Sequence, residues 1–189
     1  MDLIMEIALI ILAAFVAVFL GVIIVRTLLF TPKSSITPDT DEVIFNKDKA
    51  VENLQTLVRF KTVSYYQKEK EDEGQFSSLL ESLPTLFKKV FASCEVKLLP
   101  DRAILIHWKG KNDGDPTVLM AHYDVVPTLD EKWEKPPFSG IIENGVLWGR
   151  GTLDTKVTLN SALCAAEELI GAGFIPENDI YFAFSGGEE

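Results

Sequence analysis

Residues 7–25 read IALIILAAFVAVFLGVIIV, 19 consecutive positions without a charged or strongly polar side chain. A soluble helix of five turns normally keeps a polar stripe for water, and this run has none. As an α-helix it spans roughly 28 Å, close to the hydrocarbon thickness of a bilayer. Glu6 and Arg26 bracket it at headgroup depth. A cleaved signal peptide would carry Lys or Arg ahead of the run and small residues behind it. Here Asp2 and Glu6 precede the run, and Ala13, Ala14 and Ala17 lie within it. Residues 1–30 are therefore expected to be an uncleaved, single-pass transmembrane anchor. Arg26 and Lys33 after the span lean towards a cytoplasmic position for the remainder of the chain. Two positive charges leave the side of the membrane open.

Residues 31–45 read as a linker, because Thr31 to Asp41 is rich in Pro, Ser and Thr. Residues 46–189 carry the pattern of a globular domain. Val51, Leu54, Leu57 and Val58 form a helical stripe, and Phe76, Leu79, Leu80, Leu83 and Phe87 form a second, expected to bend at Pro84. Tyr65 to Gly74 is highly charged and reads as an exposed loop. Short apolar runs at Val96–Leu99, Ala103–Trp108, Thr117–Ala121, Val146–Trp148 and Ile180–Ser185 predict strands. Lys156 to Ile170 predicts a helix with Val157, Leu163, Ala166 and Ile170 facing inward. Alternating strands and helices imply an α/β layered domain with a mixed sheet. The formal net charge of −10 would repel phosphate backbones, which excludes nucleic acid as a partner. Cys94 and Cys164 fit no zinc-knuckle spacing and are expected to be buried thiols, with a disulfide between them left open.

Four short motifs follow strand-like segments. Ala121-His122-Tyr123-Asp124 ends the third run; residues two apart in extended backbone face the same way, so Asp124 can orient an imidazole that binds metal through its other nitrogen. A histidine merely hydrogen-bonded at a strand end fits the same three residues. Trp148 to Lys156 (WGRGTLDTK) lacks the third glycine of a dinucleotide fingerprint. Its glycines permit a tight turn that delivers Asp154 just before a helix, where an N-cap is the plain alternative. Ser185-Gly186-Gly187-Glu188-Glu189 follows the last strand. Adjacent carboxylates there repel unless a cation sits between them, or unless the loop is simply solvated. Trp133 to Gly140 (WEKPPFSG) reads as a rigid loop that packs under the site. His122, Asp154 and the Glu188-Glu189 pair all lie at strand ends, where ligand sites of α/β sheets gather. Imidazole with carboxylates suits zinc, or cobalt or manganese in its place.

Taken together, AHYDVVP, W-x-x-PPFSG, GRG-x-x-D-x-K and GGEE resemble the zinc-dependent exopeptidase and deacylase family. That family includes carboxypeptidase S, aminoacylases, acetylornithine deacetylase, succinyl-diaminopimelate desuccinylase and bacterial glutamate carboxypeptidase. The wording HYDVVP and PPFSG is most similar to the carboxypeptidase S and N-acyl-amino-acid hydrolase branch, and the resemblance runs from about Val51 to Glu189. It implies a three-layer αβα catalytic domain, incomplete here, behind the transmembrane helix. It implies that His122 binds one zinc, Asp154 bridges two, Glu189 binds the other, Glu188 is the general base and Asp124 supports His122. Thr155 departs from relatives that carry a second Asp there, without touching the bridging carboxylate. The implied reaction is hydrolysis of peptides or N-acyl amino acids by a zinc-activated water, with Glu188 carrying the proton.

A catalytic zinc normally has three protein ligands. Here each metal is one ligand short. The resemblance implies that the missing ones are a later acidic residue and a distant histidine. His107 matches neither and reads as an ordinary strand histidine. The family's smaller lid domain, which often mediates homodimer formation, is also absent from these residues. The chain is accordingly expected to be an N-terminal portion that binds zinc weakly and hydrolyses little by itself. Two rivals remain: a catalytically inactive, membrane-tethered binding module on the same scaffold, and a two-metal phosphoesterase, which the acidic charge and the two histidines disfavour.

Overall fold

The computed structural model describes residues 3–31, 45–128 and 132–189. The chain divides into two compact units, Met1–Val43 and Ile44–Glu189. In the first, helix α1 (Leu3–Leu28) has 26 residues and none is buried. It is long and apolar enough to cross a membrane. Most of the Thr31–Asp41 tether lies outside the described residues.

The second unit holds helices α2 (Lys47–Arg59), α3 (Glu73–Leu86), α4 (Lys88–Ser93) and α5 (Val157–Gly171). Its strands are β1 (Glu95–Leu99), β2 (Ala103–Trp108), β3 (Thr117–His122), β4 (Ile141–Glu143), β5 (Val146–Trp148) and β6 (Ile180–Ser185). Four strands form one sheet in the order β1-β2-β6-β3, and β4 pairs with β5 as a separate hairpin. β1–β2 and β2–β6 are antiparallel, whereas β3–β6 is parallel. A parallel neighbour demands a long crossover. The chain makes it through the β4–β5 hairpin and α5.

Period-two alternation decides the faces of the sheet. Ile104, Ile106, Trp108, Phe182 and Phe184 point one way and join Leu57, Phe76, Leu79, Leu83, Phe87, Val90, Leu159 and Leu163 in one buried core. All four helices of this unit contribute to that core. The opposite face carries Leu105, Ala183 and Met120, and Met120 is 73% exposed. The α/β class expected from the sequence holds, and the described residues build a sheet and one helix layer.

Several local expectations change. Val51 is exposed and Asn53 takes its place on the buried side of α2. Val157 is half-buried while Leu159 is in the core. The second helix runs through Pro84. It continues to Leu86 and breaks at Phe87 (φ −127°, ψ 60°), before the separate turn of α4. Pro84 sits in the last turn of α3, where its missing N–H leaves Leu80 without the usual donor and ends the helix soon after. The charged stretch from Tyr65 is not wholly a solvated loop. Asp72 caps α3 by accepting from the Gly74 amide at 3.0 Å, and Glu71 is drawn inward by Arg102. Cys94 and Cys164 are free, half-buried thiols, and burial raises the Cys94 thiol to about 11.

His107 is a strand histidine, as expected. Its Nε2 lies 2.7 Å from Asp179 and its ring stacks on Tyr181 at 4.4 Å. Asp179 also accepts from the Gly110 amide at 2.8 Å, and these partners, with Lys109, hold its carboxyl at about 2. Because the folded value lies below the ordinary one, the stability this group contributes is complete above about pH 4 and is lost as pH falls through 2. Substituting Asp179→Asn should flatten that acid limb, read from urea midpoints measured against pH. Leu163 is fully buried at the centre of the core. Leu163→Ala should cost about 2–5 kcal/mol in chemical denaturation.

Candidate metal centre

Three segments converge at one end of the sheet. The parallel register sets His122, the last residue of β3, opposite Ser185, the last of β6. The ladder continues one step, with the Tyr123 amide donating to the Ser185 carbonyl at 2.9 Å. The Gly186–Glu189 segment therefore leaves β6 beside His122. Since α5 runs back along the sheet, its N-terminal approach, Thr152–Lys156, arrives at the same end.

That approach depends on two glycines. Gly151 adopts φ +80°, and a Cβ there would meet Val125 Cγ1 at 2.6 Å. A Cβ on Gly149 would meet Val58 Cγ1 at 2.3 Å. Asp154 has extended backbone (φ −115°, ψ 97°), and the Asp154–Thr155 peptide is cis. Helix α5 starts after Lys156 with no side-chain cap, so Asp154 is not its N-cap. Its carboxylate instead points at the histidine. Oδ1 is 3.1 Å from His122 Nε2, and the side chain is 81% exposed.

His122 is held from its other edge. Nδ1 lies 3.2 Å from the Asp124 carbonyl and 3.4 Å from Asp124 Oδ1. Nε2 faces Asp154 and also Glu188, whose Oε2 is 3.7 Å away. Asp124 is fully buried. Its Oδ2 accepts from the Ser64 hydroxyl at 2.8 Å and from the Glu188 and Glu189 amides at 2.9 Å each. Asp124 thus holds the imidazole through its backbone carbonyl and the loop that carries the glutamates through its carboxylate. Ser64 reaches it because Thr62–Ser64 runs alongside Val125: the Val125 amide donates to Thr62 O and the Ser64 amide to Val125 O.

Atoms of His122, Glu188 and Glu189 able to bind a metal lie within 4.8 Å of one another. Burial lowers the basicity of His122, but Asp124, Asp154 and Glu188 outweigh it and hold the imidazole above its ordinary pKa. Burial first, then the carboxylates of Asp154, Glu188 and Asp124, raise the Glu189 carboxyl. Mutually repelling carboxylates around an imidazole fit a bound cation, and the nitrogen-plus-oxygen donors fit zinc. Every residue singled out from the sequence, His122, Asp124, Asp154, Glu188 and Glu189, is at this end of the sheet. The Trp133–Gly140 loop is held against α2 and the Gly149–Gly151 turn: Gln55 Nε2 donates to the Gly140 carbonyl at 2.6 Å and the Arg150 amide to Pro137 O at 2.7 Å.

Sequence reasoning missed two supports. Ser64 carries no signal of its own in the sequence. Lys156, noticed only as part of a motif, is fully buried; its Nζ donates to Leu57 O at 3.0 Å and Phe60 O at 2.8 Å, and burial lowers it to about 7. It ties the end of α2 to the turn that presents Asp154.

An α/β domain with an imidazole and carboxylates at the carboxyl ends of parallel strands has the build of a metallohydrolase. Residues 118–189 match peptidase family M20/M25/M40 and place that part of the chain in a peptidase M20 domain. A probable carboxypeptidase S-like 2 of Dictyostelium discoideum is 35% identical over 178 residues, covering 88% of this chain and 34% of the relative. The N-fatty-acyl-amino acid synthase/hydrolase PM20D1 of Bos taurus is 35% identical over 142 residues, covering 73% and 28%. Human carnosine dipeptidase 1 superposes with a TM-score of 0.61 at 19% identity over 75% of this chain and 32% of its own, a likeness of fold. The chain spans about a third of the length of the curated relatives it matches.

Ser64→Ala would strip a hydrogen bond from a buried carboxylate. We expect a loss of about 1.5–3 kcal/mol in urea denaturation, the range for a bond to a charged group.

Proposed function

We propose that these residues form the membrane-anchored part of a zinc-dependent hydrolase of amide bonds, acting on peptides or N-acyl amino acids. The observation that carries this reading is the convergence of His122, Glu188 and Glu189 within metal-binding reach, with Asp154 facing the same imidazole nitrogen. The anchor rests on α1, whose apolar length suits a bilayer. The substrate classes are those in the printed names of the relatives, a carboxypeptidase and an acyl-amino-acid hydrolase.

In this reading His122 and Asp154 would hold one zinc, and Asp154 and Glu189 would hold a second. Bound zinc supplies the Lewis acidity that lowers the pKa of a water and polarises a scissile carbonyl. Asp124 keeps the His122 ring oriented so that Nε2 faces the carboxylates. Glu188, whose amide is pinned by Asp124 while its side chain is 61% exposed, accepts the proton of the attacking water and delivers it to the leaving amine. Asp154 faces the same His122 nitrogen as Glu188 and is brought there on a glycine-built turn.

The assay that tests this is hydrolysis of a panel of N-acyl amino acids and dipeptides by the full-length protein, with and without a chelator. Glu188→Gln should lower kcat by about 10²–10⁴ while metal affinity changes little. Hydrolysis indifferent to both chelator and Glu188→Gln would overturn the reading. The 189 residues alone supply two protein ligands per metal. Calorimetric titration should therefore show weak zinc binding that His122→Ala abolishes; tight binding of two zincs per chain would contradict the ligand count.

A further inference from the structure

The turn between β1 and β2 places two successive non-glycine residues in left-handed backbone, Asp101 (φ 56°) and Arg102 (φ 61°). Three residues, Pro100–Arg102, separate the paired Leu99 and Ala103, and left-handed positions in such a turn favour Gly, Asn or Asp. An arginine in the second place calls for a compensating use of its side chain or carbonyl. Both are used. The Arg102 carbonyl accepts from the Tyr123 hydroxyl at 2.6 Å. Its guanidinium carbon lies over Phe76, 3.7 Å from the ring centroid. Nη2 donates to Glu71 at 2.5 Å and also pairs with Glu73, while Nε donates to Glu73 at 3.0 Å. The remaining fork arm, Nη1, reaches the Gly186 carbonyl at 3.4 Å.

These contacts surround the first residue of the glutamate loop. Gly186 lies against Tyr123 so closely that a Cβ would meet the ring at 2.6 Å. Two residues later Glu188, and then Glu189, give their amides to Asp124. The loop is thus gripped at Gly186 by Arg102 and Tyr123, and at its end by Asp124. Glu71 is itself fixed, since it accepts from the Tyr65 amide at 2.9 Å and its side chain is 4% exposed. The anchorage therefore reaches back through buried partners to α3 and to the segment that carries Ser64.

We propose that Arg102 is a positioning residue for the metal centre: the fork that joins Glu71 and Glu73 to the Gly186 carbonyl holds the Gly186–Glu189 loop where Glu188 and Glu189 face His122. The inference rests on the hydrolase reading for its consequence, though not for the contact itself. A lysine keeps the charge but not the planar fork, so it cannot replace the arginine fully.

The test measures amide exchange by NMR and cobalt affinity by visible absorption, in the full chain held in detergent micelles. In Arg102→Met the Glu188 and Glu189 amides should exchange about tenfold faster or more, while those of Phe182 and Phe184 keep their protection. Arg102→Lys should fall between the two, and it decides the matter if Arg102→Met does not fold. Cobalt affinity should drop about 10–100-fold, the usual cost of losing a support behind metal ligands. Unchanged exchange at Glu188 and Glu189 would overturn the proposal. So would equal loosening of the loop and the β6 core, which marks a general staple. If cobalt binds the unaltered chain and His122→Ala alike, the metal reading fails, and the exchange data still decide the role of Arg102.

Discussion

Parallel pairing between β3 and β6 is the constraint on which the site depends. It aligns the carboxyl ends of two strands that lie far apart in sequence, His122 beside Ser185. It also compels a crossover, and the crossover helix must return with its N-terminus at that same end. The residues just before α5, Asp154 among them, arrive there for that topological reason. Had β3 paired antiparallel to β6, His122 and the glutamate loop would sit at opposite ends of the sheet.

Holding such a cluster together takes more than topology. Four carboxylates around one imidazole repel, and the fold opposes that repulsion with short, buried bonds. Asp124 contributes most, since its one carboxylate receives the Ser64 hydroxyl and two loop amides while standing beside the His122 ring. Lys156 acts from below, its ammonium spent on two carbonyls at the end of α2. Close packing of the site's backbone against the side chains of Val58, Val125 and Tyr123 leaves no room for a Cβ, which explains Gly149, Gly151 and Gly186. The exposed ends of Asp154 and Glu188 are left free to meet a ligand from solvent.

Legibility in the sequence followed the range of the interaction. Strands β2, β3 and β6 and helix α5 were readable within a residue or two because their apolar periods are local. The β4 half of the β4–β5 hairpin was missed, although Asn144-Gly145, with both residues in left-handed backbone, is a strong hairpin signal. The break at Phe87 and the inward turn of Glu71 depend on partners far along the chain, α5 and Arg102, that no local pattern announces. Asp154 read alone as an N-cap, and only its extended backbone and its contact with His122 show otherwise. Buried Asn53 and Lys156 defeat a reading based on apolar stripes, because each is buried through hydrogen bonds with distant carbonyls.

The order of residues by itself determined a long apolar N-terminal helix, an α/β domain behind it, and the family, since a histidine, an aspartate and paired glutamates stand in family-specific wording at the ends of strands. Those properties are local: hydropathy, period and short motifs survive without a fold. Tertiary structure decided which atoms meet. The His122 nitrogen that turns towards the carboxylates, the double duty of Asp124, the grip of Arg102 on Gly186 and the burial of Lys156 all join segments distant in sequence. Such contacts exist only once strand order and register are set, because hydrogen bonds and ion pairs act over a few ångströms and the chain alone does not say which segments come that close.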